Sequence, residues 1–599
     1  MGFNQELAVR FEQISRMLEL TGANPFRVNA HAKAARVIGD MSADLAPIAE
    51  DEKALIAIEG IGKGTAEKIG EYKRTGKIKE HEELKKKIPA GLLTLMDVPG
   101  LGPKTVALMW KEMGITDEAG LKKAIEDGSI LTLPRMGAKT VENIKASLAF
   151  KETSGRRLSL GIAMPIGEGI VARMEKVKGV QQVAYAGSLR RGRDTIGDID
   201  ILVATTDPDA ARDAFVEMPN VTKVLAKGES KSSVRMNLDG TDFARWGDDG
   251  GDAGGVQVDL KVVPESSWGA AMMYFTGSKE HNIRLRERAI KKGLTLNEYG
   301  LFPDDGEKEP PQKRGVKAKA SKTEESIYKA LGVAWVQPEI REDSGEFGVD
   351  EAPSLIEVDD IRAELHAHTT ESDGSLALEE LVALAKKRKF HTIAVTDHSK
   401  SSAQAGGLDE KRLRAQRKQI EKLREKTTGI EILCGCEVDI LADGHLDFDD
   451  DFLAELDVVV ASPHVALSQD PKKATARLLK AIENPYVHVL GHPTGRLINR
   501  RKGLEPAMDE IIAAAVEHDV ALEINAHWMR LDLRDTHVRA AVEAGAKIAI
   551  DCDVHEASDF DNIRYGVLTG RRGWLTPESC VNTWTKARLG KWLKSKGRD

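Results

Sequence analysis

The sequence predicts a multidomain chain in which an all-α region, an α+β region and an α/β barrel follow one another. A similar glycine turn recurs three times between amphipathic helices in the first 150 residues. Strands and helices are mixed between about residues 155 and 335, and short apolar strands alternate with helices from about residue 359 onward. A chain of 599 residues is also longer than one hydrophobic core usually holds, so several domains are expected.

Composition favours a globular protein of a reducing compartment. Charged residues make up 30% and apolar residues 41% of the chain, and no run of eighteen apolar residues is present. Four cysteines are too few for a disulfide framework. Cys434 and Cys436 would share one face of a strand, where a core role is favoured over metal ligation. We therefore expect a cytoplasmic protein that makes no membrane contact.

The first region consists of helices joined by three similar glycine turns. IEGIGKGTAEKI, VPGLGPKTVALM and LPRMGAKTVENI each place a turn directly before a helix, with Lys104 and Lys139 beside the last two. Free backbone N–H groups at such a helix start bind phosphate oxygens, so the repeat predicts contacts to a DNA backbone. A plain helix–turn–helix corner is the alternative for any single turn. The glycines expected to contact DNA are Gly60, Gly62, Gly100, Gly102 and Gly137.

Two aspartates interrupt an otherwise apolar strand in the middle region. Asp198 and Asp200 flank Ile199 in GDIDILV and point to the same face of the strand. Burying carboxylates is costly unless a cation pairs with them. Asp259 in GGVQVDLKVVP faces away from its apolar neighbours and supplies a third carboxylate. Three converging carboxylates hold two Mg²⁺ or Mn²⁺ ions for in-line phosphoryl transfer, whereas turn aspartates are rarely followed by an apolar strand.

The segments around these aspartates narrow the class of enzyme. GSLRRGRDTIG precedes them and forms a Gly-Ser turn with three arginines, a combination that marks a broad nucleotidyltransferase superfamily. Residues 270–302, AAMMYFTGSKEHNIRLRERAIKKGLTLNEYGLF, strongly resemble the nucleotide-binding helix of family X DNA polymerases. With the glycine turns upstream and EESIYKALGVAWVQPEIRE downstream, this resemblance covers residues 1 to about 340.

The resemblance implies roles for individual residues. Asp198 and Asp200 would hold both metal ions, and Asp259 would hold the catalytic ion and help to activate the primer 3′-hydroxyl. Ser188 and Arg191 would hold the incoming triphosphate. The aromatic pair at 274–275 would pack under the sugar, and positions 282 and 286 would face the base edge and the template. The residues so assigned to the dNTP are Gly187, Ser188, Arg191, Tyr274, Phe275, Gly277, Asn282 and Arg286.

The N-terminal segments NPFRVNAHAKAARVIGDM and IEGIGKGTAEKIGEYKRTGK resemble the lyase domain of DNA polymerase beta. In that family a lysine in the helix after the hairpin forms a Schiff base with a cleaved abasic sugar, and Lys68 occupies this position. Gly64 replaces a basic neighbour one turn earlier, which would weaken the pocket. The alternative for Lys68 is a solvated helix lysine without a chemical role.

The C-terminal region is rich in histidine. Of the 15 histidines, only His31, His81 and His281 precede residue 360. ELHAHTTESDGS places two histidines on one strand face with an aspartate five residues later, and further ligand types end the following strands. Imidazole and carboxylate together form a zinc or transition-metal ligand set, and α/β barrels build their sites at strand ends. The predicted ligands are His366, His368, Asp373, His398, Glu437, His464, His492, Asp553 and His555, whereas His527 stays undecided.

This ligand set resembles the PHP (polymerase and histidinol phosphatase) domain, a distorted (β/α)₇ barrel with up to three Mn²⁺ or Zn²⁺ ions. The resemblance implies one ion on His366, His368, Glu437 and Asp553. A second would lie on Glu437, His464 and His492, and a third on Asp373, His398 and His555. Because every ligand position is filled, we expect an active phosphoesterase.

The whole chain thus resembles bacterial and archaeal PolX proteins, family X DNA polymerases fused to a PHP domain. The implied fold is an all-α helix-hairpin-helix N-terminal region, an α+β nucleotidyltransferase palm with a thumb-like region, and the C-terminal barrel. The expected boundaries are a lyase-like helical domain at 1–85, a helix-hairpin-helix region at 86–150, the palm at 151–265, a nucleotide-selecting thumb-like domain at 266–338, a linker at 339–358 and the PHP domain at 359–599.

The expected function is template-directed filling of short gaps in DNA repair, combined with 3′→5′ exonuclease and possible abasic-site cleavage by the PHP domain. Its partners would be gapped or primed DNA and dNTPs, and the chain would act as a nucleoid-associated monomer. The formal net charge of −8 does not exclude DNA, because carboxylates that hold cations count toward it. The main alternative is a phosphoesterase whose polymerase half only positions DNA. A non-catalytic scaffold and nucleotidyl transfer to RNA or small molecules fit the motifs less well.

Overall fold

A computed structural model describes residues 3–41, 45–58, 60–96, 101–134, 136–137, 140–141, 144–145, 157–237 and 255–597. It consists of two compact units, residues 1–155 with 245–254, and residues 156–244 with 255–599. The acidic, glycine-rich segment at 239–255, for which the sequence suggests only a flexible loop, lies outside the described residues except for its last glycine.

The first unit is built from helices. They are α1 (Phe3–Leu20), α2 (Pro25–Asp40), α3 (Glu52–Ile56), α4 (Lys63–Thr75), α5 (Lys79–Lys87), α6 (Gly91–Leu95), α7 (Pro103–Met113) and α8 (Glu118–Glu126). Asn24 caps α2 by accepting the Phe26 N–H, and α4 and α7 each begin after a glycine and end at a left-handed glycine. The predicted all-α class is confirmed for this region.

The palm is the first part of the second unit. Its elements are β1 (Leu158–Ser159), α9 (Leu160–Met174), β2 (Val180–Tyr185), α10 (Gly187–Arg190), β3 (Thr195–Ile196), β4 (Asp198–Thr205), α11 (Pro208–Val216), β5 (Val221–Lys227), β6 (Lys231–Met236) and β7 (Val256–Val263). Five strands form one sheet in the order β2-β4-β7-β6-β5. Only β4 and β7 pair in parallel, so the α+β prediction is confirmed.

The thumb-like region follows with α12 (Trp268–Thr276), α13 (Lys279–Lys291), β8 (Leu294–Asn297), β9 (Gly300–Pro303) and α14 (Glu324–Leu331). His281 lies at the centre of this region and is fully buried. Its Nδ1 is 2.7 Å from a carboxylate oxygen of Glu346 and its Nε2 is 2.6 Å from the Tyr328 hydroxyl. This buried histidine is therefore a satisfied core residue.

The C-terminal region is a seven-stranded parallel barrel with helices between the strands. Its elements are β10 (Ala363–Glu364), α15 (Leu378–Lys387), β11 (Thr392–Val395), α16 (Glu410–Lys426), β12 (Glu431–Asp439), α17 (Asp450–Leu453), β13 (Val458–Ser462), α18 (Pro471–Ile482), β14 (Val489–Leu490), α19 (Met508–Glu517), β15 (Ala521–Asn525), α20 (Asp535–Glu543), β16 (Ile548–Asp551), α21 (Ile563–Arg572) and α22 (Lys586–Leu593). The strands pair in chain order, and a parallel bridge between Ala367 and Val554 brings the first and last strands together. The predicted barrel is thus confirmed.

The barrel packs directly against the palm and the thumb-like region within the second unit. Leu531 and Tyr565 of the barrel belong to the palm core, and Trp574 belongs to the thumb core. A side chain in place of Gly161 would clash with Trp528, its β-carbon lying 2.4 Å from that ring. The segment expected to be a linker is itself packed, since Ile340, Leu355 and Ile356 are buried.

All four cysteines are buried and free, as the composition suggests for Cys434 and Cys436. In the part of the chain that the structure describes, helices long and apolar enough to cross a bilayer are absent.

Candidate active sites

The first site lies in the palm, where β4 and β7 run side by side. Asp198 begins β4, and Asp200 stands directly opposite Asp259 in the parallel register. Oxygen atoms of the three carboxylates lie within 4.8 Å of one another. The alternation of side chains along two adjacent strands therefore brings the three predicted aspartates together on one face.

The electrostatics of this carboxylate triad favour bound cations. Burial and the charges of its two partners raise the pKa of Asp200 to about 7, and burial and Asp259 also raise the pKa of Asp198. Lys231 is the opposing charge in direct contact with the triad, its Nζ lying 2.6 Å from Oδ2 of Asp259. One contacting lysine balances three acids incompletely, and carboxylate oxygens are the ligands that Mg²⁺ and Mn²⁺ prefer. The residues fit a divalent-cation site.

The Gly-Ser turn lies against this triad. Gly187 has φ +62°, and a β-carbon there would lie 2.3 Å from Oδ2 of Asp200. Only glycine allows both this backbone conformation and the close approach. Ser188 follows in the short helix α10.

All three arginines after this turn connect the palm to the thumb-like region or the segment after it, Arg193 through Glu342 at 3.5 Å. Arg190 forms a bidentate pair with Glu324, both N–O distances being 2.9 Å. The Arg191 Nε donates to Glu342 at 3.0 Å, and its Nη1 donates to the backbone carbonyl of Thr276 at 2.5 Å. The charge of Arg191 opposes part of the rise in the pKa of Asp200, so it acts on the triad.

The other predicted dNTP residues surround the start of α13. The rings of Tyr274 and Phe275 meet edge to face with centroids 5.2 Å apart. Asn282 donates its side-chain amide to the Tyr274 carbonyl at 2.7 Å, while its buried Oδ1 has no hydrogen-bond partner among the described residues. The Arg286 Nε is 3.4 Å from the Asn282 carbonyl. Gly277 has φ +69°, and a β-carbon there would lie 3.2 Å from Nη1 of Arg191.

The second site lies at the carboxyl ends of the barrel strands. All nine predicted ligands occur in clusters whose ligand atoms lie within 4.8 Å of one another. These clusters are His368, Asp373, His398 and His555; His366, His492 and Asp553; His366, His368 and Glu437; and His398, Glu437 and His464. The ligands come from six of the seven strand ends, so they converge only because the barrel closes.

Glu437 lies at the centre of this site. Its carboxylate is 2.8 Å from Nδ1 of His398, 3.2 Å from Nε2 of His464 and 2.9 Å from Nε2 of His492. Burial by itself would raise the pKa of Glu437, but the surrounding histidines hold it well below its usual range. A buried carboxylate in contact with several imidazoles is a donor set that bridges cations.

The histidine donors also fit bound metal. The buried Nε2 of His366 and Nδ1 of His368 have no hydrogen-bond partner in the structure. The clusters overlap the predicted ion sets without reproducing them. His368 joins the predicted set of Asp373, His398 and His555, and His366 groups with His492 as well as with Asp553.

Several residues that support this site were not predicted. The Nδ1 of His366 is 2.6 Å from Glu523, and His464 is hydrogen-bonded through its Nδ1 to Asp439. The Asn525 amide donates to Asp553 at 3.0 Å. Such partners orient metal-binding side chains. Asp439 could have been found from the sequence, because it lies two residues after Glu437 on the same strand face.

His527 does not join these clusters. Its ring stacks on Trp528 with centroids 5.8 Å apart, and burial lowers its pKa to about 4. Among the described residues it belongs to none of the groups that could hold an ion.

The first unit contains a pocket around Lys68. Its cavity has a volume of about 400 Å³ and is lined by Phe26, Asn29, Ala30, His31, Lys33, Gly60, Gly62, Gly64, Thr65 and Lys68. The Lys68 ammonium is 3.2 Å from Glu80 and donates to the Gly64 carbonyl at 3.2 Å. The hydrogen bond from His31 and the charge of Lys68 lower the pKa of Glu80 to about 2, although burial by itself would raise it.

The glycine turns present open helix starts where the structure describes them. Around Gly62, Gly102 and Gly137 a β-carbon would meet no atom within 4 Å, so their backbone faces open space. Gly60 has φ +101° and packs against Val37. Lys104 is exposed in the first turn of α7. Gly100 and Lys139 lie outside the described residues.

Comparison with known families matches successive parts of the chain. The matching models are a helix-hairpin-helix domain at residues 3–78, a SAM-like helix-hairpin-helix tandem at 92–149, the DNA polymerase beta palm at 164–248, the DNA polymerase beta thumb at 271–342 and the PHP domain at 364–527. The palm range includes β4, which carries Asp198 and Asp200, and the PHP range includes most of the nine predicted barrel ligands.

Individual relatives cover either the whole chain or one part of it. The DNA polymerase/3′-5′ exonuclease PolX of Bacillus subtilis (strain 168) is 35% identical over 573 residues, 95% of this chain and 96% of that relative. DNA polymerase lambda of Arabidopsis thaliana is 30% identical over 47% of this chain and 53% of its own length. A probable phosphatase of Thermoanaerobacter sp. (strain X514) is 28% identical over 39% of this chain and 94% of its own length.

Proposed function

The chain belongs to the PolX family, and from this premise we propose that it fills short DNA gaps at the palm and removes 3′-terminal nucleotides at the barrel. The observation that carries the proposal is the presence, in one chain, of a complete carboxylate triad and a complete nine-residue histidine–carboxylate set. The similarity to the Bacillus subtilis DNA polymerase/3′-5′ exonuclease PolX supports both activities.

In the polymerase reaction the primer 3′-oxygen forms a bond to the α-phosphorus of the dNTP, and pyrophosphate leaves. Asp198 and Asp200 would hold both ions, and Asp259 would hold the ion beside the primer and favour loss of its hydroxyl proton. Bound Mg²⁺ or Mn²⁺ would stabilise the charge that develops on the phosphate oxygens. The triad supports this assignment because its oxygen donors are incompletely balanced by Lys231.

The incoming nucleotide would lie between the Gly-Ser turn and α13. Gly187 and Ser188 would present their backbone and hydroxyl to the triphosphate, and Gly277 would let it approach Arg191 closely. Tyr274 and Phe275 would pack under the sugar. The unpartnered Oδ1 of Asn282 supports a role at the base edge, and Arg286, beside it, would face the template.

In the exonuclease reaction water adds to the phosphorus of the terminal phosphodiester, and the bond to the preceding 3′-oxygen breaks. The nine barrel residues would hold up to three ions, and their mixed nitrogen and oxygen donors suit Mn²⁺ or Zn²⁺. Asp373 and His555 would admit the phosphate, since their side chains are 35% and 34% exposed while His366 and His368 are fully buried. Cleavage at abasic sites is a further reaction open to this site.

A 5′-deoxyribose-phosphate lyase is a second candidate activity, favoured by the cavity around Lys68. The Lys68 amine would add to C1′ of the abasic sugar with loss of water, and β-elimination would break the bond from C3′ to its phosphate oxygen. The contact of Lys68 with Glu80 has to open first, because the amine must be neutral to attack. Trapping with borohydride tests this, and loss of the trapped product in Lys68→Ala is the expected result.

The remaining predictions extend this function. Gapped or primed DNA and dNTPs would be the partners, with the open turns at Gly62, Gly102 and Gly137 and the exposed Lys104 on the DNA backbone. The domain boundaries at residues 85, 150, 265 and 338 stay predictions. A monomer that acts at the nucleoid stays our expectation.

A one-nucleotide-gapped duplex with dNTPs and Mn²⁺ tests the assignment. Asp259→Ala should abolish primer extension and leave 3′-end degradation, whereas His366→Ala should do the reverse. Normal extension by Asp259→Ala would refute the triad, and undiminished degradation by His366→Ala would refute the barrel site. If the wild type degrades but never extends, the polymerase half only positions DNA.

A further inference from the structure

Asp373 lies on a short loop at the mouth of the barrel site. This loop, residues 369–374, lies between β10 and α15 and is called the Asp373 loop below. The Asp373 side chain is 35% exposed, and its Oδ1 is 3.5 Å from Nε2 of His398 and 3.4 Å from Nε2 of His555. The position of the loop therefore decides whether Asp373 meets the other members of its cluster.

One end of the Asp373 loop is fixed by a buried carboxylate that the proposed chemistry does not use. Asp397 directly precedes the ligand His398 just after β11 and is fully buried. Its carboxylate accepts the Thr369 N–H at 2.8 Å and the Thr369 hydroxyl at 2.7 Å. It also accepts the Ser372 hydroxyl and the side-chain amide of Gln416, which is buried on α16. Asp397 thus joins the loop, a ligand-bearing strand end and a barrel helix.

The other end of the Asp373 loop is fixed to a ligand. Ser375, the residue after the loop, donates its backbone N–H and its hydroxyl to the His555 carbonyl at 2.7 and 2.9 Å. Within the loop, Ser372 and Gly374 donate their N–H groups to the Thr369 carbonyl at 3.2 and 3.0 Å. The loop is therefore a closed turn that is anchored at Asp397 on one side and at His555 on the other.

The groups around Asp397 require a carboxylate. All four donate a hydrogen atom to it, and an ionised carboxylate only accepts. An asparagine would turn its own NH₂ group toward at least one of these donors. Burying a carboxylate is costly, and these hydrogen bonds offset the cost. A charge kept at this position therefore makes contacts to the loop that an apolar side chain cannot make.

We propose that Asp397 is a positioning residue of the barrel site. It holds the Asp373 loop so that Asp373 completes the ligand set of the outermost ion with His398 and His555. Gln416 assists, because its amide donates to Asp397 from the helix behind it. The proposal rests on the proposed function, since the exonuclease reaction would use this ion. Asp397 acts through Asp373 and does not itself touch the ion or the substrate.

Metal content without turnover is the first test. Asp397→Asn, stripped with a chelator and reloaded with Mn²⁺, should retain one ion per chain fewer than the wild type after gel filtration. Amide exchange in residues 366–378 should become at least about tenfold faster, because the loop loses an anchor. An unchanged ion count and exchange rate would overturn the proposal. Gln416→Leu should shift both quantities in the same direction, and it carries the test if Asp397→Asn fails to fold.

His488→Gln is the matched control. His488 is buried before β14, at the opposite end of the barrel strands from the ligands. Its ring accepts the Val459 N–H at 3.1 Å and donates to the Leu593 carbonyl at 3.0 Å. This variant should lower the melting temperature and leave the ion count unchanged. An equal loss of ions in His488→Gln would mean that any damage to the barrel releases them, which would also overturn the proposal.

The Mn²⁺ dependence of hydrolysis is the second test, with thymidine 5′-p-nitrophenyl phosphate as substrate. In Asp397→Asn the half-saturating Mn²⁺ concentration should rise about 10–100-fold, while the rate at saturation stays within about threefold of wild type. Asp373→Ala should not recover at any Mn²⁺ concentration. A loss in Asp397→Asn that saturating Mn²⁺ does not restore would refute a positioning role. If the wild type binds the ions and leaves both the ester and DNA 3′ ends intact, the proposed exonuclease fails, whereas the ion count still decides the role of Asp397.

Discussion

The palm and the barrel both gather cation ligands on strands, yet they do so over very different lengths of chain. The palm triad comes from two adjacent strands, and Asp200 and Asp259 are direct register partners. The barrel set comes from six strand ends, and His368 and Asp553, which are hydrogen-bonded, lie 185 residues apart in the chain. The palm site forms when one pair of strands is in register, whereas the barrel site forms only when the strands of the barrel have all assembled.

The two sites also differ in their donors. The triad offers only carboxylate oxygens, which suit hard cations such as Mg²⁺. The barrel offers six imidazoles and three carboxylates, most of them buried, which suit transition metals and zinc. The palm thus offers an all-oxygen donor set, whereas the barrel offers a deeper set of mixed nitrogen and oxygen donors.

Removing a central ligand from each site should have the largest effect and should separate the two activities. Glu437→Gln should lower exonuclease activity and barrel metal content by about 100-fold or more, because Glu437 contacts several histidines at once. Asp200→Asn should abolish extension and leave the barrel metal content unchanged. Metal analysis beside both activity assays measures the effect. A parallel loss of both activities in either variant would contradict two independent sites.

The contacts that connect the barrel to the palm can be disrupted at Arg572. This barrel arginine is buried, pairs with Asp535 and Glu342, and donates to the Arg191 carbonyl at 2.9 Å. Arg572→Ala removes the ion-pair partner of Asp535 and one of the partners of Glu342, so we expect the free energy of unfolding to fall by about 3 kcal/mol. Because Glu342 also orients Arg191, the KM for dNTP should rise as well. Denaturant melts and steady-state extension measure the two effects.

The control for that substitution is Arg588→Ala. The exposed Arg588 lies over the ring of Trp584, 3.9 Å from the ring centroid, and its replacement should cost no more than about 1 kcal/mol. Similar losses in the two variants would mean that the buried network has no special role.

The orientation of the barrel ligands can be weakened without removing a ligand. Glu523 is buried 2.6 Å from Nδ1 of His366 and fixes that ring. Glu523→Gln should reduce barrel metal affinity and exonuclease activity about 10–100-fold while extension stays normal. Competition with a metal-binding dye measures the affinity, and an unchanged value would show that His366 needs no such partner.

The smallest expected effect concerns the pH dependence of stability. Burial by itself would raise the pKa of Glu324, but Arg341 and Arg190 hold it at about 2, below its ordinary value of 4.5. A depressed carboxyl pKa stabilises the fold above pH 4.5, and this contribution is lost as the pH falls toward 2. Glu324→Gln should therefore lose less stability than the wild type between pH 5.5 and 3.5. Thermal melts across this range measure the difference, and parallel curves would contradict the assignment.

Local patterns were sufficient to predict much of both sites. Asp198 and Asp200 are recognisable because two carboxylates share one face of an apolar strand, and the barrel ligands because nearly all of them end apolar strands. Asp439 was within reach of the same argument. Glu523 could not be predicted in this way, because no local pattern marks this strand glutamate. Only the folded barrel brings His366 into contact with it.

The sequence by itself determined the order of fold classes, the carboxylate triad and the composition of the histidine set, since strand alternation and helix periodicity are local consequences of backbone geometry. Only the tertiary structure decided how the barrel ligands group, that Arg191 is held by Glu342 and Thr276, and that a hairpin of the barrel is hydrogen-bonded to the palm. These features depend on contacts between residues far apart in the chain, for example 342 residues between Arg157 and Asn499. Such contacts follow from sheet order, barrel closure and domain packing, which no local pattern specifies.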